Sequence, residues 1–234
     1  MSAPDPDLIR RIAAHRAEVE ARIAAACARA GRDPAEVTLV AVTKTHPVEV
    51  LEAAVAAGLR QFGENRVQEL VAKREALPRS GVTWHLIGHV QTNKARDAVR
   101  RSDLVHGVDS VRLAEALARR AEAEGRVLPV LVQVNVSGET SKAGCAPDKA
   151  PALVAAVGAE PALRLEGLMT LAAPADDAEE IRPQFRLLRF LRDQLRTPEH
   201  PLPILSMGMS GDYEVAIEEG ATHVRIGTAL FGER

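Results

Sequence analysis

Apolar residues recur along this chain in two rhythms that take turns from one end to the other. Over the first 31 residues Leu8, Ile12, Val19, Ile23 and Cys27 return at spacings of four and seven, one face of an amphipathic helix. Asp5 or Asp7 can cap its start, and Gly31 is a natural stop. Beyond it, short β-branched runs predict strands over 37–44, 60–64, 83–88, 104–108, 129–136, 163–170, 204–207 and 223–227. Helix-sized Ala- and Leu-rich stretches separate them, at 48–58, 66–77, 111–125, 151–157, 178–195 and 212–219.

Strand and helix in alternation means parallel pairing through right-handed crossovers. Eight such units predict an α/β fold: a single-domain (β/α)8 TIM-type barrel over 1–234, with the helix of 1–31 as an extra element packed on it. An open doubly wound sheet gives the same local pattern and stays as the alternative. No Pro/Gly/Ser linker, charge block or fixed-period repeat marks a second domain. Barrel chemistry gathers at the carboxyl ends of the strands, and there the unusual polar residues lie: Thr43-Lys44-Thr45-His46, Gly63-Glu64-Asn65-Arg66, Gly88-His89, Asn135-Val136-Ser137-Gly138, Met207-Gly208-Met209-Ser210-Gly211 and Arg225-Ile226-Gly227-Thr228.

Composition narrows the partners. Lys+Arg 30 against Asp+Glu 32 in 234 residues gives a net charge of -2, without the basic excess that nucleic acid or anionic lipid attracts. The two cysteines, Cys27 and Cys145, lack CxxC spacing and read as reduced thiols. The start carries Asp5 and Asp7 and no apolar leader, and the most apolar run, near 127–136, is too short to span a bilayer. A soluble, cytoplasmic protein is expected.

Lys44 closes a strand on which Thr38, Val40 and Val42 share its face. Desolvation at the top of such a column lowers an ammonium pKa, and the neutral amine is the form that attacks a carbonyl. The bland alternative is a strand-end lysine reaching into water. Two further segments bear on that choice. The loops after the seventh and eighth strands, with Gly208, Ser210, Gly211, Gly227 and Thr228, sit where barrels commonly cradle phosphate. There is no GxxxxGK[ST], and no GxGxxG after a strand, to support nucleoside triphosphate or dinucleotide binding. Pyridoxal phosphate needs both a Schiff-base lysine and an anchored phosphate, together with a partner for its ring nitrogen. Arg225 fits that last part, because a guanidinium only donates and so meets an unprotonated pyridine.

At these residues the chain resembles the pyridoxal-phosphate homeostasis proteins (YggS/PROSC type). The resemblance runs nearly end to end, through AVTKTHP, FGENRVQE, WHLIGHVQTNK, VHGVDS, VNVSGETSKAG, LEGLMTLA, LSMGMSGDYEVAIEEGATHVRIGT and a terminal ALFGER. It implies the barrel of the alanine racemase N-terminal domain and pyridoxal phosphate on Lys44. It also implies Arg225 at the pyridine nitrogen, phosphate contacts from Ser210, Gly227 and Thr228, and Asn65, His85 and Met207 lining the pocket. Such proteins are regarded as carriers or regulators of vitamin B6, with cofactor-dependent apoenzymes as candidate recipients and no established turnover. One departure is Gly211-Asp212-Tyr213, where many relatives carry a bulkier residue before the aspartate.

A racemase is the competing reading. Racemisation wants a base on each face of the cofactor, and the resembling racemases use a tyrosine opposite the lysine. Tyr213, the one tyrosine, is predicted beside the phosphate loop, so His46, His85 or His89 would have to substitute as the base, with His85 the first choice. The chain also has no room after Gly227 for the lid domain of those racemases, so a holder of the cofactor, and a monomer, is expected. A third reading is a sugar-phosphate barrel enzyme that forms a Schiff base with its substrate. His85 and His89, four apart on a strand, stand about 13 Å from each other, too far for one metal ion. The loop 137–144 reads as a flap with Lys142 a second amine, 94–101 as a solvated helix face, and Glu64 and Asp109 as structural hydrogen-bonding groups.

Overall fold

The computed structural model describes residues 4–78, 81–139, 142–173, 175 and 177–232. The first helix, α1 (Pro6–Arg29), starts where the Asp5 carboxylate accepts from the Asp7 amide at 2.9 Å. Its buried stripe is Ile12, Val19, Ile23, Ala26 and Cys27. It stops at Gly31, whose φ of +64° lets Arg32 N return to the Cys27 carbonyl at 2.9 Å, the usual left-handed helix ending.

Then follow β1 (Thr38–Val42), α2 (Val48–Ala56), β2 (Gln61–Glu64), α3 (Val67–Ala76), β3 (Thr83–Leu86) and α4 (Ala95–Arg101). Next come β4 (Leu104–Val108), α5 (Val111–Ala123), β5 (Leu128–Gln133), α6 (Ala150–Gly158), β6 (Leu163–Met169) and α7 (Arg182–Leu195). The chain ends on β7 (Ile204–Ser206), α8 (Tyr213–Glu218), β8 (His223–Ile226) and α9 (Thr228–Phe231). All eight strands pair in parallel and in sequence order, and β8 returns to β1 in the register Thr38↔His223 to Ala41↔Ile226. That closure decides between the barrel and the open sheet.

Two of the helices qualify the sequence reading. The basic stretch 94–101 is α4, which buries Ala95, Ala98 and Val99 and turns Arg96 and Arg100 outward. The four-residue α9 carries no readable period. Strands also stop earlier than their apolar runs suggested; β1 ends at Val42, and Lys44 stands in the turn beyond it.

Alternation along each strand sorts side chains into two layers. Ala41, Phe62, Trp84, Val105, Val130, Leu168, Leu205 and Val224 join the large core between strands and helices. Inside the barrel a much smaller cluster holds Leu104, Leu131 and Met169, with Ile204 against it. Buried polar side chains, among them His85, His106, Ser206 and Arg225, share the interior with it. The α1 helix is tied to the barrel's flank by Arg22 and Arg29 on Glu214 and by Arg29 on Glu218. Among the described residues no helix is long and apolar enough to cross a membrane.

Candidate functional site at the carboxyl end of the barrel

Lys44 is half-buried, and among the described residues its Nζ has no hydrogen-bond or ion-pair partner. The backbone on either side of it is held from below. Thr45 adopts a left-handed φ of +66°, a conformation that costs a non-glycine residue about 1 kcal/mol or more. Its amide donates to Glu69 Oε2 at 2.9 Å. On the other side, Lys73 Nζ donates to the Thr43 carbonyl at 2.7 Å and to Glu64 Oε1 at 2.7 Å, and Thr43 Oγ1 donates to the same carboxylate oxygen at 2.6 Å.

Glu64 is fully buried, and burial raises its carboxyl pKa against the pull of Lys73 and Thr43. Burial pushes Glu69 the same way, but the Thr45 amide and Lys73 outweigh it and hold its carboxyl below the usual range. These bonds give Glu64 the structural role expected of it, and they add Lys73, which no motif singles out. The signal was present: Glu69 and Lys73 stand four apart on a helix beside a strand-end glutamate.

Arg225 lies inside the barrel near the end of β8, 3% exposed. Its Nη1 donates to Ser206 Oγ at 2.6 Å and its Nη2 to the Thr170 carbonyl at 2.7 Å. Burial lowers its pKa to about 10, with the Asp212 carboxylate opposing that shift, so it stays a cation at neutral pH.

The loops after β7 and β8 meet where Ser210 Oγ accepts from the Ala229 amide at 3.4 Å. Thr228 is exposed at the start of α9, and Gly227 is half-buried. Gly208 is demanded by the fold: its φ is +94°, and a Cβ there would lie 2.7 Å from Ala216 Cβ. Gly211 and Gly227 are not so constrained, since an added Cβ meets nothing at the first and only Val42, at an ordinary 3.6 Å, at the second. Gly211 therefore leaves open space at the rim, and Gly227 lies in ordinary contact with Val42.

Three of the expected pocket residues are placed differently from one another. Asn65 is half-buried at the rim, its backbone so close to Gly88 that no side chain fits there, and it borders a cleft of about 520 Å³ with Arg66, Glu69, His89 and Lys94. His85 lies in the interior, 3% exposed, with Nδ1 2.9 Å from His106 Nε2 and Nε2 2.8 Å from Gln61 Oε1. Met207 is fully buried in the layer between strands and helices, and its neighbour Ser206 takes the inward place. Strand alternation through β7 carries enough information to have separated these two.

Burial lowers the His85 pKa to about 3, with His223 adding to the shift, so the ring is neutral and engaged at both nitrogens. Tyr213 packs toward α1, its ring 5.3 Å from the Arg22 guanidinium carbon. His89 pairs with Asp109 at 2.9 Å, and His46 packs on Phe231. Among the described residues no group of His, Cys, Asp and Glu is arranged to hold a metal. Lys142 Nζ donates to the Ala172 carbonyl at 2.8 Å, and Asn135 gathers the Glu139 and Lys142 carbonyls, so the described part of that loop is knotted to itself and to its neighbour. Thr140 and Ser141 of the same loop, and the last two residues of ALFGER, lie outside the described residues.

The geometry sets Lys44 in the turn after β1 and the buried Arg225 guanidinium on β8, the strand paired with β1, with the small-residue loops after β7 and β8 at the same end of the barrel. The alanine racemase, N-terminal domain family matches residues 15–234. A Pseudomonas aeruginosa protein named pyridoxal phosphate homeostasis protein is 48% identical over 223 residues, 95% of this chain and 96% of its own. A solved structure from Bifidobacterium adolescentis of unknown function superposes with a TM-score of 0.92 at 41% identity, covering 97% of both chains. PipY of Synechococcus elongatus, solved with PLP bound, gives a TM-score of 0.80 at 38% identity, covering 94% of this chain and 100% of its own. With its closed barrel and this agreement over nearly its whole length, the chain belongs to the pyridoxal phosphate homeostasis protein family, built on the alanine racemase N-terminal domain.

Proposed function

We propose that this protein binds pyridoxal 5'-phosphate and serves vitamin B6 homeostasis, holding the cofactor as a Schiff base on Lys44 and buffering or delivering it without robust turnover. The observation that carries the reading is Arg225. A cation buried this deeply is costly unless something uses it, and this one stands near the end of β8, two residues before Gly227. As a donor that keeps its proton, it suits an unprotonated ring nitrogen. Ser210, Gly227 and Thr228 offer a hydroxyl pair and open backbone for a phosphate. Asn65 borders the rim, His85 acts from beneath, and Met207 packs behind the loop.

When bound, the cofactor supplies an aldehyde that captures amines and a ring that withdraws electrons. The chain's own residues anchor, orient and leave it accessible. Against a racemase stand two features: the Tyr213 ring turns toward α1, and His85 is neutral with both nitrogens occupied. Neither can serve as the second base without rearrangement. A carrier role also suits a cytoplasmic monomer, one barrel domain over 1–234, with pyridoxal-phosphate-dependent apoenzymes as recipients. The test is incubation of the loaded protein with amino acids in deuterated water. No catalysed exchange of the α-hydrogen is expected; exchange at an enzymatic rate would favour the racemase.

A further inference from the structure

A line of hydrogen-bonded side chains crosses the barrel interior beneath Arg225, and the binding role just described assigns nothing to its members Ser206, His106 and Gln61. From Arg225 Nη1 the line passes to Ser206 Oγ at 2.6 Å, and from there to His106 Nδ1 at 2.9 Å. His106 Nε2 stands 2.9 Å from His85 Nδ1, and His85 Nε2 stands 2.8 Å from Gln61 Oε1. The five residues come from β8, β7, β4, β3 and β2, so the link between His106 and Ser206 spans the barrel between strands that are not neighbours. Four of the five are buried, and half-buried Gln61 ends the line at the amino-terminal end of β2.

The line runs one way. Gln61 Oε1 only accepts, so His85 carries its single hydrogen on Nε2 and gives it to that oxygen. Neutral His85 then accepts at Nδ1 from His106 Nε2–H, which leaves His106 Nδ1 to accept from the Ser206 hydroxyl. Arg225 has no acceptor, so the Ser206 oxygen receives from it. Protonating either ring would set donor against donor. Burial keeps both neutral, His85 at about 3 and His106 well below the ordinary imidazole value. The third interior histidine, His223, has its ring centre 6.0 Å from that of His85 and 6.3 Å from that of His106. Barrel interiors usually carry layers of branched aliphatic side chains. A polar line in their place demands that every member be satisfied.

We propose that His106 and His85 are positioning residues for Arg225: the one-way line down to Gln61 fixes the Ser206 lone pair toward the guanidinium and so sets which donors Arg225 presents at the mouth. With the Thr170 carbonyl alone the planar fork is held at one point; with Ser206 it is held at two. This role rests on the reading of Arg225 as the partner of a ring nitrogen.

Nitrogen-15 NMR of the unaltered apo protein, labelled at histidine, tests the line directly and depends on no variant folding. The Nε2–H tautomer is expected at both His85 and His106; an Nδ1–H tautomer at His106 would overturn the proposal. Two variants, checked first by thermal unfolding, then test its consequence with pyridoxal phosphate. For His106→Leu the dissociation constant is expected to rise about tenfold, the loss of one well-placed charged hydrogen bond, with a displaced absorbance band and the covalent adduct retained. For His106→Asn, whose Oδ1 can still accept from Ser206, the displacement should be smaller. If His106→Leu binds and absorbs like the unaltered protein while Arg225→Ala does not, the positioning role is refuted and the reading of Arg225 stands. If Arg225→Ala itself changes neither affinity nor spectrum, that reading fails and takes the positioning role with it.

Discussion

Lys73 Nζ lies 2.7 Å from the carbonyl oxygen of Thr43, the residue immediately before Lys44. The buried ammonium therefore fixes the backbone that presents the half-buried amine of Lys44. It is itself neutralised by Glu64, whose carboxylate is fully buried. The amine proposed for chemistry and the amine that supports its backbone have opposite requirements: among the described residues Lys44 Nζ has no partner, whereas Lys73 Nζ meets Thr43, Glu64 and Glu69.

Removing the supporting amine strands a buried carboxylate. Lys73→Met is expected to destabilise the fold by about 3–5 kcal/mol at neutral pH, measured by urea unfolding. The sign with pH follows from Glu64, whose folded pKa is raised. Below its unfolded pKa the carboxyl is neutral in both states, so the deficit should shrink as pH falls and grow as pH rises through the folded value. A deficit independent of pH would show that Glu64 does not carry the cost.

The interior histidines make the fold acid-sensitive. Burial depresses His85 to about 3 and His223 to about 4, and it also lowers His106 well below the ordinary 6.5. Between those values and 6.5 the unfolded chain binds more protons than the folded one, so stability is full above 6.5 and declines as pH falls through the window. Each histidine contributes a slope of about 1.4 kcal/mol per pH unit. Chemical unfolding at pH 7.5, 6 and 5 checks this; equal stability at all three would contradict it.

Two glycines of one loop should answer differently to the same substitution. Gly208→Ala forces a left-handed alanine against Ala216 and Tyr213 and is expected to cost about 1–3 kcal/mol and to loosen the loop that carries Ser210. Gly211→Ala has open space around it and should stay within about 0.5 kcal/mol. Thermal unfolding of the pair measures the contrast, and equal losses would argue against it.

Much of this fold could be read along the chain, because it is written in local periods. All eight predicted strands overlap observed ones, and the capped start and left-handed stop of α1 follow from Asp5 and Gly31. The barrel follows from counting eight such units, but the contacts that close it and fill its interior are non-local. Closure rests on pairs such as Thr38↔His223 at opposite ends of the sequence, and no period of two or 3.6 encodes them. The bond between His106 and Ser206 joins residues 100 apart, so a polar interior was invisible until the strands were in register. The residue types around Lys44 and Arg225 suggest their chemistry directly, whereas Lys73 is signalled only by its spacing of four from Glu69, and its support of the β1 turn shows once α3 is placed against that turn. Met207 and Ser206 show the limit of motif reading: adjacent residues of one loop motif face opposite layers.

Which amine captures the cofactor is open to direct measurement. Protein loaded with pyridoxal phosphate, reduced with borohydride and digested, should carry the added mass on the peptide containing Lys44. Lys44→Ala should unfold like the unaltered protein and lose that mass. A reduced adduct found instead on Lys142 or another lysine, or persisting undiminished in Lys44→Ala, would contradict the account.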